Sequence, residues 1–132
     1  MPDKWELSGK VQEWFILGES DSRTAQIAFN GGAPTRSIAI LIQQAVEKYL
    51  KGYLISRGWK LKKTHDLEVL ISEAISQDKG FEQFLDIART VSAYYLLDRY
   101  PPLAIAEYPR EEILDMLEQS ERLIAKIKES MA

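Results

Sequence analysis

A chain of 132 residues with 45% hydrophobic and 28% charged residues has the composition of a folded globular protein, long enough to bury roughly two-thirds of its unfolded surface in one core. It has no cysteine, which excludes disulfides and thiolate chemistry, and a single histidine, which leaves little from which to build a metal site. No apolar run approaches a membrane span and the formal charge of -3 argues against a general nucleic-acid coat, so the expectation is one cytoplasmic domain over residues 1–132.

The first periodic segment covers about 10–30, with Val11, Phe15, Gly18, Ser22, Ala25 and Phe29 at three- and four-residue steps. Small residues in the middle of that face suggest close approach by a neighbouring helix. Gly31 and Gly32 end it, and Pro34 suits the first position of the next helix. The second segment, about 34–57, carries Ile38, Leu41, Ile42, Ala45, Val46, Tyr49, Leu50, Tyr53 and Leu54, a stripe wide enough to be covered on most sides, which marks a central helix. Gly58 stops it and 59–63 form a short basic connection. Thr64 can cap a third helix over about 66–77, with Leu67, Leu70, Ile71, Ala74 and Ile75 inward. After the break at Asp78-Lys79-Gly80, a fourth helix over about 81–98 turns Phe84, Leu85, Ala88, Val91, Ser92 and Tyr95 inward, until Pro101-Pro102 prevents its continuation. Pro109 opens a last helix with Glu111 and Glu112 in its first turn and Ile113, Leu117, Ser120, Ile124 and Ile127 as its buried stripe.

No segment alternates as a strand does, so the fold class is all-α: an up-and-down four-helix bundle with an additional short helix, about five helical segments in all. Short connections imply antiparallel neighbours. On that basis the end of the second helix, the start of the third and the end of the fourth share one pole, bringing together the basic connection, His65 and the stretch from Tyr94 to Tyr100. Lys48, Lys51, Arg57, Lys60, Lys62 and Lys63 place six positive charges in 48–63 without an acid. They form either an anion-attracting surface or a solvated helix end that complements its own dipole.

Glu47-Lys48 through Lys51 to Thr64-His65-Asp66-Leu67, followed by Tyr94-Tyr95 and Arg99-Tyr100-Pro101, with Trp14 and Asp21 early in the chain, is similar in order and helix placement to the HEPN family. The resemblance spans nearly the whole chain. It implies a helical bundle, and among known members it implies ribonucleases marked by an arginine followed four to six residues later by a histidine. With Arg99 as that arginine, the histidine position falls at 104, 105 or 106, where the chain has Ala104, Ile105 and Ala106. Arginine binds phosphate well but is a poor proton carrier, so the pattern points away from catalysis. The resemblance then implies the noncatalytic branch: nucleotide- or RNA-associated proteins that dimerise and act with a nucleotidyltransferase in two-component, toxin-antitoxin-like modules. No cofactor and no metal are implied.

The candidate phosphate- or ligand-binding residues are Lys51, Lys60, Lys62, Lys63, His65, Tyr95, Arg99 and Tyr100. Arg99 and His65 are also the candidates for catalysis, were the chain a metal-independent endoribonuclease after all. Arg99 can equally cap carbonyls at a helix end or pair with Asp66 or Asp98, and Thr64-His65-Asp66 can be capping chemistry alone. Trp59, Tyr94, Tyr95 and Tyr100 can stack a base or pack under a loop. A third possibility is a pure dimerisation or interaction module, using apolar helix surface that one bundle does not cover.

Overall fold

The computed structural model describes residues 4–60, 62–98 and 107–131. Among these there are five α-helices and no strand: α1 (Lys4–Asn30), α2 (Thr35–Ser56), α3 (Leu67–Gln77), α4 (Leu85–Asp98) and α5 (Arg110–Met131), with a 3₁₀ helix at Lys79–Phe84 leading into α4. The all-α bundle expected from periodicity is what forms. No helix among the described residues is long and apolar enough to cross a membrane.

As its wide apolar stripe requires, α2 is central and packs against α1, α3, α4 and α5. Ile38, Ile42, Val46, Tyr49, Leu50, Tyr53 and Leu54 are all buried on it. The small residues of the α1–α2 face do what their size suggests. A Cβ at Gly18 would come within 2.8 Å of the Tyr49 ring, and one at Gly52 within 2.7 Å of the Phe15 ring and 3.1 Å of Trp14 Cβ. The two backbones therefore lie closer than ordinary side chains permit.

The helix ends refine the sequence expectations. α1 starts at Lys4, not near residue 10, because Gly9 does not interrupt the helix. Pro34 stands outside α2 with ψ 131°, so Thr35 is the first helical residue. At the other end of α2, Gly58 takes a φ of +87°, letting the Gly58 and Trp59 amides donate to the Ile55 and Leu54 carbonyls. Asp66, not Thr64, caps α3: its carboxylate accepts from the Glu68 amide at 2.9 Å, while the Thr64 hydroxyl accepts from the Asp66 amide one step earlier. The fourth segment begins as the 3₁₀ helix, initiated by Asp78 accepting from the Gly80 amide. Its three-residue period stacks Phe81 and Phe84 on one buried side. α5 starts one residue after Pro109.

Cross-links fix the helix directions. Thr35 at the start of α2 bonds Glu107 and Tyr108 just ahead of α5, and Arg57 beyond the end of α2 donates to the Ser130 carbonyl at 3.3 Å, so α2 and α5 are parallel. α1 and α4 run the other way. α3 runs with α2: it begins beside Glu47, 3.0 Å from the His65 ring, and ends at Asp78, which bonds Lys126 at 3.1 Å. The chain thus reverses between α1 and α2, between α3 and α4, and between α4 and α5, but not between α2 and α3. There the 57–66 connector returns along α2 instead of turning, which its extended reach of up to about 33 Å allows.

Of the shared pole expected from the sequence, the start of α3 and the later part of α4 do meet, through the Leu67 amide and Ser92, but the end of α2 lies elsewhere, and Arg99 and Tyr100 are outside the described residues. The start of the connector lies with the ends of α2 and α5, whereas Tyr94 on α4 contacts Tyr108 and Glu112 at the start of α5, the opposite end of the bundle.

Candidate functional site

Gln43, Glu47 and Lys51 stand one helical turn apart on α2 and so share one face, yet none reaches solvent: they are 0%, 4% and 4% exposed. Glu47 is the centre. It accepts from Lys51 Nζ at 2.9 Å, from Gln43 Nε2 at 2.8 Å and meets His65 Nδ1 at 3.0 Å. A carboxylate offers only acceptors, so Nδ1 must carry the proton and the histidine donates. Gln43 Nε2 also approaches the His65 carbonyl at 3.4 Å. Both groups around that amide nitrogen are acceptors, which fixes the orientation of Gln43 and leaves its Oε1 without a hydrogen-bond partner among the described residues.

Burial pushes the Glu47 carboxyl up, but the hydrogen bonds from Lys51, Gln43 and His65, together with the Lys51 charge, outweigh it and hold the group below the usual carboxylate value. The carboxylate is thus ionised and balanced by Lys51, whose ammonium also lies 5.6 Å from the centre of the Trp14 ring of α1. A neutral ion pair is built into the helix beneath the connector.

This changes the reading of the basic run. Lys48 is paired with Asp21 of α1, Lys51 with Glu47, and Arg57 lies over the Tyr53 ring and bonds Ser130. These three are engaged within the fold. Lys51 in particular is a buried counter-ion, not the phosphate-facing residue expected, because its one charge already meets Glu47. Lys60, Lys62 and Lys63 differ: all are exposed on the connector, and no carboxylate pairs with them among the described residues. His65 closes the connector with a side chain 56% exposed, its ring held by Glu47.

α4 reaches the same region. Ser92 Oγ accepts from the Leu67 amide at 3.3 Å, and Arg89 bonds Glu68 at 3.0 Å, so α4 passes the start of α3 with its last turns still to come. Arg99 and Tyr100 lie outside the described residues, as does the side chain of Tyr95. Trp59 and Tyr94 do not form one stacking platform. Trp59 packs against the core at the end of α2, while Tyr94 stands edge-on to Tyr108 with ring centres 4.2 Å apart and donates to Glu112. Burial, then that bond to Glu112, pushes the Tyr94 hydroxyl up to about 12.

Sequence reasoning named Lys51, His65 and the lysines as candidates but missed Gln43 and Glu47, which hold Lys51 and His65 in place. The signal was present: polar residues at 43, 47 and 51 repeat every four positions inside a helix whose other faces are largely apolar.

Comparison with curated proteins gives no match. Among solved structures, TT1696 from Thermus thermophilus is similar in fold, with a TM-score of 0.79 and 24% identity, over 91% of this chain and 97% of that one. The HEPN domain family matches residues 11–130, so this chain belongs to the HEPN domain family.

Proposed function

We propose that this HEPN protein associates with nucleotides or RNA through the 57–66 connector, acting without catalysis, as a homodimer and together with a nucleotidyltransferase. The observation that carries the ligand part is the set Lys60, Lys62 and Lys63: three exposed cations, unpaired among the described residues, on a segment fastened to α2 through His65. Such a set suits a phosphate backbone, which is recognised by charge more than by sequence. The noncatalytic part rests on Ala104, Ile105 and Ala106 standing where the ribonuclease signature needs a histidine. Pairing with a second copy or another protein is supported by Ile16, Leu17 and Ile27, which leave apolar surface exposed on the outside of α1.

Titration of tryptophan fluorescence with nucleotides and short RNA, at low and moderate salt, tests the reading. Binding should weaken with salt with a log–log slope of about 2 for three single-strand phosphate contacts. Replacing Lys60, Lys62 and Lys63 together by glutamate should abolish it. Unchanged binding by that variant defeats the proposed location.

A second reading, metal-independent RNA cleavage by His65 with Arg99, is favoured by one feature. A carboxylate bonded to Nδ1 is an arrangement that orients a histidine for proton transfer. Metal-free cleavage that disappears in His65→Ala and in Arg99→Ala would establish it; cleavage surviving both changes at once would dismiss it.

A further inference from the structure

The connector has firm ends and a weakly tied middle. At one end, Trp59 donates to Leu54 and packs on the core; at the other, buried Leu67 begins α3 under the Asp66 cap. Between them, among the described residues, the Thr64 amide donates to the Lys62 carbonyl and the Thr64 hydroxyl accepts from the Asp66 amide, both bonds within the segment itself. Among the described residues, what joins this stretch to α2 is His65, gripped twice: its ring by Glu47 at 3.0 Å and its carbonyl by Gln43 at 3.4 Å. The gripping residues are buried, the gripped one half exposed, and Lys51 neutralises the carboxylate through Oε2.

From this geometry we infer that Glu47 is the positioning residue of the connector: it holds His65, and with it Lys62 and Lys63, in a fixed place on α2 without touching ligand. The inference rests on the ligand-binding reading above. A cationic segment ordered in advance loses less freedom when it meets a polyanion, so the grip acts through affinity and leaves the number of phosphate contacts unchanged.

Those two quantities separate experimentally. The double variant Glu47→Leu/Lys51→Met removes the grip without changing net charge and without leaving either ion buried alone. His65→Gln keeps a donor for Glu47, whereas His65→Ala removes it. Affinity for a short single-stranded RNA is measured against salt for each, with urea unfolding to confirm folding. Amide hydrogen exchange of residues 62–65 is followed alongside.

The expected result for the double variant is about tenfold weaker binding with an unchanged salt slope and faster exchange at 62–65. His65→Ala should behave the same way, and His65→Gln should stay close to the parent. If the double variant binds as the parent does while the lysine-to-glutamate variant does not, the positioning role is overturned and the connector reading stands. A salt slope reduced in the double variant would mean that the buried pair itself meets phosphate, which also overturns it. If the lysine variant binds normally, the connector reading itself falls.

Discussion

Removing the Glu47 side chain would leave the Lys51 ammonium inside the protein with no counter-charge, so the two residues should not behave independently under mutation. Breaking a buried pair from one side costs about 3–5 kcal/mol, whereas replacing both partners by apolar groups of similar size is often neutral or stabilising. Glu47→Ala should therefore lose about 3 kcal/mol in urea unfolding, and Glu47→Leu/Lys51→Met should be at least as stable as the parent. A double variant weaker than Glu47→Ala would refute the account. The carboxyl is held below its unfolded value, so its contribution is complete above the unfolded pKa, about 4.3, and is lost as pH falls through the folded one. Acid unfolding of the parent should accordingly be steeper below about pH 4 than that of the double variant. At this scale the sequence was only partly legible. Lysine and histidine advertise charge, but whether a charge faces water or a partner depends on contacts that are distant along the chain, such as His65 with Glu47.

Between elements, the tightest constraint is the α1–α2 approach at Gly18 and Gly52. Gly52→Ala places a methyl group against Phe15 and against Trp14 Cβ, which belongs to the base of its side chain and cannot swing aside. Overpacking of this kind costs about 1–3 kcal/mol, and the thermal midpoint should fall by several degrees. An unchanged midpoint would mean that α1 can shift outward freely. The helices themselves were readable from periodicity and punctuation, since Gly31, Gly58 and Pro109 fall at their ends. Buried residues off the main stripe, namely Phe81, Ile87, Met116 and Leu123, were not, because a helix covered from two sides buries more than one line of residues. The direction of α3 was also hidden. A connector as long as 57–66 permits both a turn and a return, and only the His65 contacts decide between them.

For the molecule as a whole, local stability should follow how many neighbours cover each helix. α2 is enclosed by four helices, while α1 packs on α2 and more lightly on α5 and exposes Ile16, Leu17 and Ile27. Native-state hydrogen exchange should find α1 opening at lower free energy than the Tyr49–Leu54 stretch of α2; equal protection in both would contradict this. The parallel course of α2, α3 and α5 has an electrical outcome. Three helix dipoles point one way and two the other, so they do not cancel. Side chains set against that field: on α5, Glu111, Glu112, Asp115 and Glu118 outweigh Arg110 in the first half, and Arg122, Lys126 and Lys128 outweigh Glu121 and Glu129 in the second. Along α5, backbone and side-chain charge thus work against each other, so a polyanion at a distance meets a weaker field there than either alone would give.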